Sequence, residues 1–192
     1  MGRQPKKTFI ATEQSILDRL RLGYMSNPAY VIANLFVFTW ESDFLLKTKS
    51  GYWYEVEVKI SRADFKNDRK HKSEKYDILE GRKEGLRPNY FSYCVPKELL
   101  DSVRDLIPDY AGISVVDGYG NVWLMRPPEP LHKEKLSDEA LGLLEKFYYN
   151  YSNLRWRHDH KDDEIRRLKA ENEWLRAEYE AVAGEKIEDS MH

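Results

Sequence analysis

The sequence predicts an α/β domain followed by a helical tail. Residues 52–60 alternate between apolar and charged side chains, with Val56 and Val58 on one face and Glu55 and Glu57 on the other, which is typical of a β-strand. Helical and extended patterns follow one another up to Met125, and only helical patterns follow the Pro-rich segment Arg126–Pro130. We therefore expect residues 1–130 to form the domain and residues 131–192 to form the tail.

Composition narrows the class of protein. The chain has 192 residues, of which 41% are hydrophobic, and a net charge of −2. These values suit one domain of ordinary size with a real core and an appendage. The single cysteine, Cys94, excludes an intrachain disulfide and favours a reducing compartment. Because the longest apolar run, Tyr30 to Trp40, is too short to cross a bilayer, we expect a cytoplasmic protein without a membrane partner.

The N-terminal part of the chain predicts a helix and then a strand. Thr12 is a suitable N-cap for a helix that carries Ile16, Leu17 and Leu20 on its apolar side and ends at Gly23. The run from Tyr30 to Trp40 is rich in β-branched and aromatic residues and predicts a buried strand that leads into the next element.

That next element is a hairpin formed by residues 41–46 and 52–60. A three-residue loop, Lys49–Gly51, joins its arms and ends in Gly, which adopts a left-handed backbone without steric penalty. If Thr48 faces Tyr52, Asp43 lies directly opposite Glu57, and Glu41 opposite Lys59.

The opposed carboxylates predict a metal site. Facing side chains in an antiparallel pair lie about 4.5–5.5 Å apart at Cβ, where like charges destabilise the sheet. A cation between Asp43 and Glu57 removes this repulsion, and oxygen ligands suit Mg²⁺ or Mn²⁺. Lys59 is predicted on the same face, where it could orient a water molecule or offset phosphate charge. The same pattern is also consistent with a solvated strand face that carries cross-strand pairs.

A basic helix is predicted directly after the hairpin, from Ser61 to about Glu80, with Gly81 as its end. Its excess of basic side chains predicts a surface that faces the phosphates of DNA, although an ordinary exposed helix is the alternative. The predicted DNA-binding residues are Arg62, Lys66, Arg69, Lys70, Lys72 and Lys75.

The remaining elements are a strand from Tyr90 to Val95, a short helix from Lys97 to Leu106, and a second hairpin. In the tail, a helix is predicted from Leu136 to Tyr149. Residues 162–183 then show a short heptad pattern with Asn172 at a core position. This pattern predicts a coiled coil that forms a homodimer or binds a partner protein, and a lone amphipathic helix is the alternative.

The hairpin resembles the signature of the restriction-endonuclease-like nucleases, the PD-(D/E)xK superfamily, in which an Asp precedes an (Asp/Glu)-x-Lys motif. Asp43 and Glu57-Val58-Lys59 match it, with Ser42 in place of the usual Pro, and Tyr54–Phe65 is similar to the MmcB-like branch found in DNA repair and phages. The resemblance covers roughly residues 10 to 130. It implies a mixed central sheet flanked by helices.

The resemblance also implies roles for individual residues. Asp43 and Glu57 would be metal ligands, the Val58 carbonyl a further ligand, and Lys59 the catalytic lysine. Several branches carry a metal-binding Glu on the first helix, where Glu13 stands; a glutamate that complements the helix dipole is the alternative. The implied function is a Mg²⁺- or Mn²⁺-dependent deoxyribonuclease of DNA repair or phage DNA metabolism. The alternative is a catalytically idle DNA-binding or assembly module that acts through its tail.

Overall fold

The computed structural model describes residues 9–24, 28–147, 149–150, 154, 161 and 164–175. The chain divides into two compact units, residues Met1–Lys146 and Phe147–His192. The first unit is a mixed α/β domain. Its strands and helices, in chain order, are α1 (Glu13–Gly23), β1 (Tyr30–Phe36), β2 (Glu41–Lys47), β3 (Trp53–Val58), α2 (Arg62–His71), α3 (Ser73–Leu79), β4 (Tyr90–Pro96), α4 (Leu100–Val103), β5 (Gly112–Val116) and β6 (Val122–Arg126).

The six strands form one sheet in chain order from β1 to β6. The central strands β3, β4 and β5 are parallel, whereas β1–β2, β2–β3 and β5–β6 are antiparallel pairs. The crossover from β3 to β4 contains α2 and α3, and the crossover from β4 to β5 contains α4 with a short 3-10 turn at each of its ends. This confirms a mixed sheet flanked by helices.

Helix α1 agrees with the sequence prediction. The Thr12 Oγ1 accepts a hydrogen bond from the Ser15 backbone N–H at 3.1 Å. In return, Ser15 Oγ accepts a hydrogen bond from the Thr12 backbone N–H. Such reciprocal capping satisfies N–H groups that the first helical turn leaves without partners. The predicted apolar residues Ile16, Leu17 and Leu20 are all buried.

The predicted hairpin register is confirmed. The ladder pairs Phe44 with Val56 and Leu46 with Tyr54, so one step outwards brings Asp43 opposite Glu57. The Thr48 N–H donates to the Tyr52 carbonyl, and Gly51 has a φ of 90°, as the three-residue loop requires.

The sheet has an apolar layer on each face. On one face, α1 packs over Phe44, Val56 and Val58. On the other face, α2, α3 and α4 cover Leu45, Trp53 and the Phe91 and Tyr93 side chains of β4. The alternative of a solvated strand face is therefore wrong, because helices cover the charged face of β3 and Glu55 and Glu57 are both 0% exposed.

The first predicted strand is shorter than the sequence indicated. The strand expected from Tyr30 to Trp40 ends at Phe36, which pairs with Glu41, so that the chain reverses within residues 37–40. This reversal contains no Gly or Pro, so the sequence gives no turn signal. Val37, Phe38 and Trp40 remain buried there.

The helix predicted from Ser61 to Glu80 is two helices. Lys72, with φ −112° and ψ 37°, separates α2 from α3. The predicted start and stop are confirmed, since Ser61 Oγ accepts the Asp64 N–H at 3.1 Å and Gly81 has a φ of 74°. The last α-helical bond of α2 runs from the Lys72 N–H to the Asp68 carbonyl, and the Lys72 ammonium group turns inward to Glu57 and Asp68.

The domain extends past the predicted boundary at residue 130. Leu136, Leu141 and Leu143 are buried in the core, and the Tyr30 hydroxyl donates to Asp138 at 2.6 Å. The helix predicted from Leu136 begins only at residue 143, because the Ser137–Gly142 segment forms turns and Gly142 has a positive φ of 56°.

In the second unit, residues 164–175 are helical. The apolar side chains Ile165, Leu168 and Leu175 of this helix are exposed. The heptad pattern at 162–183 extends beyond the described residues, so a coiled coil stays a prediction. None of the helices in the described part of the chain is both long enough and apolar enough to cross a membrane.

Candidate active site

The site begins with the two facing carboxylates on β2 and β3. Asp43 is half-buried, and its Oδ2 accepts the Val58 backbone N–H at 2.8 Å. This bond fixes the Asp43 carboxylate next to the Glu57-Val58-Lys59 segment. Glu57 points to the same face of the sheet and is fully buried.

Three lysines surround the Glu57 carboxylate. The Nζ atoms of Lys59 and Lys72 each lie 2.9 Å from Glu57 Oε1, and Lys75 Nζ lies 2.5 Å from Glu57 Oε2. Lys59 directly follows the strand that carries Glu57, whereas the other two lysines come from the break after α2 and from α3. Both oxygens of Glu57 are therefore engaged by ammonium groups.

A second layer of polar groups holds this cluster in place. Lys75 Nζ also lies 2.9 Å from Glu55 Oε1, and the same oxygen accepts the Trp40 indole N–H at 2.9 Å. Lys75 has a side chain only 1% exposed, so it ties β3 to α3 without contact with water.

Asp68 closes the network from α2. Its Oδ1 lies 3.1 Å from Lys59 Nζ and 2.9 Å from Lys72 Nζ, and its Oδ2 accepts the Tyr76 hydroxyl. The Tyr93 hydroxyl in turn donates to the Tyr76 oxygen at 2.9 Å. Asp64, at 3.7 Å from Lys59 Nζ, lies at the solvent-exposed edge.

The pKa values of the two facing carboxyl groups, Asp43 and Glu57, are shifted in opposite directions. Burial opposes ionisation of Glu57, but Lys75, Lys59 and Lys72 together hold its pKa below the ordinary value. Burial and the neighbouring Glu57 raise the pKa of Asp43 to about 7. Burial lowers the pKa of Lys59, but Glu57 and Asp68 outweigh that effect, so its pKa is raised and the ammonium group stays protonated.

The network contains more acidic than basic side chains. The four carboxylates of Asp43, Glu55, Glu57 and Asp68 face three ammonium groups, and no ion pair joins Asp43 to a lysine or arginine among the described residues. An unpaired carboxylate beside a second carboxylate is unfavourable unless it is protonated or bound to a cation. Among the described residues, Asp43 is therefore the carboxyl group of this network that has no direct ion pair.

The donor set fits a hard divalent cation. Mg²⁺ is commonly held by one or two carboxylates, with water and substrate phosphate completing its shell. Asp43 and Glu57 supply such a pair. Because Glu57 also binds three lysines, a cation there would compete with their ammonium groups for the Glu57 oxygens. Within the described residues, no group of three or more Asp, Glu, His or Cys side chains is arranged to hold a metal ion.

Glu13 is not brought to this site. It is exposed on α1, which packs on the opposite face of the sheet, and it forms no metal-holding group with Asp43 and Glu57. The reading of Glu13 as a first-turn acid that complements the helix dipole agrees with this position.

The predicted DNA-binding surface is smaller than expected. Lys75 is buried, and Lys72 turns inward to Glu57 and Asp68, so neither extends from the surface as the sequence suggested. Arg62 pairs with Asp105, and Arg69 pairs with Glu80 at 2.8 Å. Lys66 and Lys70 are exposed.

Sequence reasoning missed Glu55, Asp68 and Tyr76 as members of the site. Glu55 was predicted on the same face as Glu57, but no role in the site was predicted for it. A signal was present, since lysines three residues apart at 72 and 75 follow a strand with two glutamates on one face. Only the docking of α3 onto β3 makes these side chains partners.

Comparisons with known proteins bear on the fold alone. No family model matches this chain, and no curated protein matches it. A solved structure of a protein of unknown function from Silicibacter pomeroyi is similar, with a TM-score of 0.51 and 18% sequence identity. The similarity covers 80% of this chain and 90% of that chain.

Proposed function

We propose that this protein is a Mg²⁺- or Mn²⁺-dependent deoxyribonuclease with a restriction-endonuclease-like core, acting in DNA repair or phage DNA metabolism. The observation that carries the proposal is the pairing of Asp43 opposite Glu57, with Lys59 Nζ 2.9 Å from Glu57 Oε1. An acidic pair and a lysine on one hairpin supply the parts that metal-assisted phosphodiester hydrolysis needs.

Asp43 and Glu57 would hold the ion, with the Val58 carbonyl as a further donor. A bound ion supplies Lewis acidity at the phosphoryl group and lowers the pKa of water. The Val58 N–H orients the Asp43 carboxylate by direct hydrogen bonding.

Lys59 has an electrostatic role in this proposal. Its ammonium group stays protonated beside Glu57 and Asp68, so it is a hydrogen-bond donor and not a general base. A fixed cation in a water-poor site stabilises the negative charge that develops on a phosphoryl group. Trp40, Lys75 and Tyr76 act through other residues, because they position Glu55, Glu57 and Asp68.

DNA would be held by its phosphates. Lys66 and Lys70 are exposed on α2, the helix that supplies Asp68 to the site. Arg62 and Arg69 keep 42% and 45% of their side chains exposed despite their ion pairs. Contacts of this kind carry no base information and weaken as salt rises.

The test is cleavage of closed circular and linear DNA in Mg²⁺, in Mn²⁺ and in EDTA. We expect cutting with a divalent metal, no cutting in EDTA, and loss of cutting in Asp43→Asn. In Lys59→Met we expect cleavage to fall at least about 100-fold, by analogy with removal of one transition-state donor. Glu41→Gln is the matched control, since Glu41 is exposed on the same strand as Asp43, and it should cut normally.

A second function is favoured by a specific observation, the engagement of both Glu57 oxygens by lysines. If these ammonium groups exclude metal, the protein is a catalytically idle DNA-binding or assembly module that acts through its helical tail, as a homodimer or with a partner. Retained DNA binding without cutting in either metal would establish this reading. Cutting that persists in Asp43→Asn would contradict the proposed site.

A further inference from the structure

Of the three lysines that bind the Glu57 carboxylate, Lys72 is the one that reaches water. Its side chain is 35% exposed, whereas those of Lys59 and Lys75 are 6% and 1% exposed. Lys72 is also the residue at which α2 ends and α3 begins. A lysine side chain is a flexible stem, so the Lys72 ammonium group can move from Glu57 into solvent by bond rotation, whereas the other two lysines are enclosed by the protein.

The departure of Lys72 leaves no buried carboxylate without a partner. Glu57 Oε1 keeps Lys59 Nζ at 2.9 Å, and Glu57 Oε2 keeps the third lysine at 2.5 Å. Asp68 keeps Lys59 Nζ at 3.1 Å and the Tyr76 hydroxyl group. Removing one partner of a buried ion pair is costly because it leaves the other charge uncompensated, and that does not happen here. Lys72 is therefore the lysine that the network can release at the smallest cost.

The charges of the network favour an exchange of Lys72 for a divalent cation. A carboxylate that binds a metal ion is ionised. With such an ion at Asp43 and Glu57, the four carboxylates of the network are balanced by the ion and by the two enclosed lysines. The Lys72 ammonium group is then a surplus positive charge beside Glu57 Oε1, where it repels the ion. The ion and Lys72 therefore compete for the same carboxylate.

An anion outside the network is needed to hold Lys72 in its outward position. Lys66 and Lys70 are exposed on α2, the helix that ends at Lys72, and neither forms an ion pair among the described residues. This end of α2 thus carries positive charge at the surface. The phosphates of DNA are the anions that bind such a surface, and a lysine contacts a phosphate as a point charge.

We propose that Lys72 is a positioning residue that makes metal binding at Asp43 and Glu57 depend on DNA. Without DNA, Lys72 occupies Glu57 Oε1 and Asp68 and opposes the ion. A DNA phosphate that binds Lys72 draws its ammonium group away from Glu57, so that the carboxylate becomes available to the ion. Because this ion is the one assigned to Asp43 and Glu57, the role of Lys72 rests on the proposed function. The lysines around Glu57 then restrict metal binding to the DNA complex and do not abolish it.

The test is Mn²⁺ binding by the full-length protein, measured from the paramagnetic resonance signal of free Mn²⁺ and not from cleavage. Lys72→Met keeps a long side chain and removes its charge. Without DNA, we expect Lys72→Met to bind Mn²⁺ at least about tenfold more tightly than the wild type, a typical size for coupling between two binding events. A short DNA duplex, checked for integrity after each titration, should tighten Mn²⁺ binding to the wild type by a larger factor than binding to Lys72→Met.

Lys70→Met is the matched control. Lys70 is exposed two positions from Lys72, so its replacement removes the same charge from the same end of α2 without loss of a contact to Glu57 or Asp68. Without DNA, Lys70→Met should bind Mn²⁺ as the wild type does. Asp43→Asn combined with Lys72→Met should abolish the tight binding, which locates the ion. Lys72→Gln is the second variant if Lys72→Met fails to fold.

Three outcomes would overturn the role of Lys72. The first is equal Mn²⁺ affinity of the wild type and Lys72→Met without DNA, which leaves the nuclease proposal intact if the wild type cuts DNA. The second is an equal gain in Lys70→Met, which would assign the effect to net charge. The third is the absence of Mn²⁺ binding in every folded variant, with and without DNA, which would remove the metal site and the proposed function with it.

Discussion

Replacement of Lys75 by Met should strongly destabilise the first unit. Lys75 has a side chain 1% exposed and lies 2.9 Å from Glu55 and 2.5 Å from Glu57. Met fills a similar volume but supplies no charge, so Glu55 loses its ammonium partner and Glu57 keeps only Lys59 and Lys72. Removing one partner of a buried ion pair typically costs about 3–5 kcal/mol. Because water does not reach Lys75, no reduction for solvent screening applies.

This free energy is large enough to measure directly. For a chain of this size, about 3–5 kcal/mol corresponds to a fall in Tm of roughly 6–20 °C. We would measure urea unfolding by tryptophan fluorescence, since Trp40 and Trp53 are both buried and Trp40 contacts Glu55.

A double-mutant cycle isolates the interaction. Glu55→Gln keeps an acceptor for the Trp40 indole while removing the charge that Lys75 neutralises. The double variant Glu55→Gln with Lys75→Met should be less destabilised than the sum of the single variants, by about 1–3 kcal/mol.

Lys66→Met is the matched control for this experiment. Lys66 is exposed on α2 and forms no ion pair among the described residues, so its replacement should change stability by less than about 0.5 kcal/mol. A loss below about 1 kcal/mol in Lys75→Met, or strict additivity in the cycle, would refute the buried network.

Two further predictions concern positions outside the site. Burial raises the pKa of the Cys94 thiol to about 12, so the thiolate stays scarce at pH 8 to 9. A disulfide reagent should therefore label the native protein far more slowly than the urea-unfolded protein. Equal labelling rates would show that Cys94 is accessible. Gly120→Ala should destabilise the β5–β6 hairpin by more than about 1 kcal/mol in a thermal melt, because Gly120 has a φ of 82° and an added Cβ would lie 2.7 Å from Arg19 Nε. Gly118→Ala is the control in the same melt, since an added Cβ there meets no atom within 4 Å.

The sequence was sufficient for elements whose signals are local. The cap at Thr12, the Gly51 loop and the alternation of β3 each depend on a few neighbouring residues, and they predicted α1 and the hairpin register correctly. The break at Lys72 and the reversal after Phe36 carry no Gly or Pro, so the sequence could not show them.

Burial of charge was the main feature that the sequence did not show. Alternating Glu and Val predict a strand but do not tell whether the polar face meets water or a helix. Glu57 and Lys75 are 18 positions apart, and their contact depends on how α3 docks. The pairing of Asp43 with Glu57 was predictable, because hairpin register follows from loop length, whereas the three-lysine environment of Glu57 was not.

The side chains of the charged network come from one continuous stretch of the chain, Trp40 to Tyr76, with Tyr93 as the contributor from a later strand. When two residues that contact each other are near in sequence, the loop between them is short. Forming such a contact costs little chain entropy, and the contact forms rapidly. The hairpin and the two helices after it can therefore come together while the later strands are still unpaired. During synthesis, this stretch leaves the ribosome before β5 and β6, so its ion pairs can begin to form before the sheet is complete.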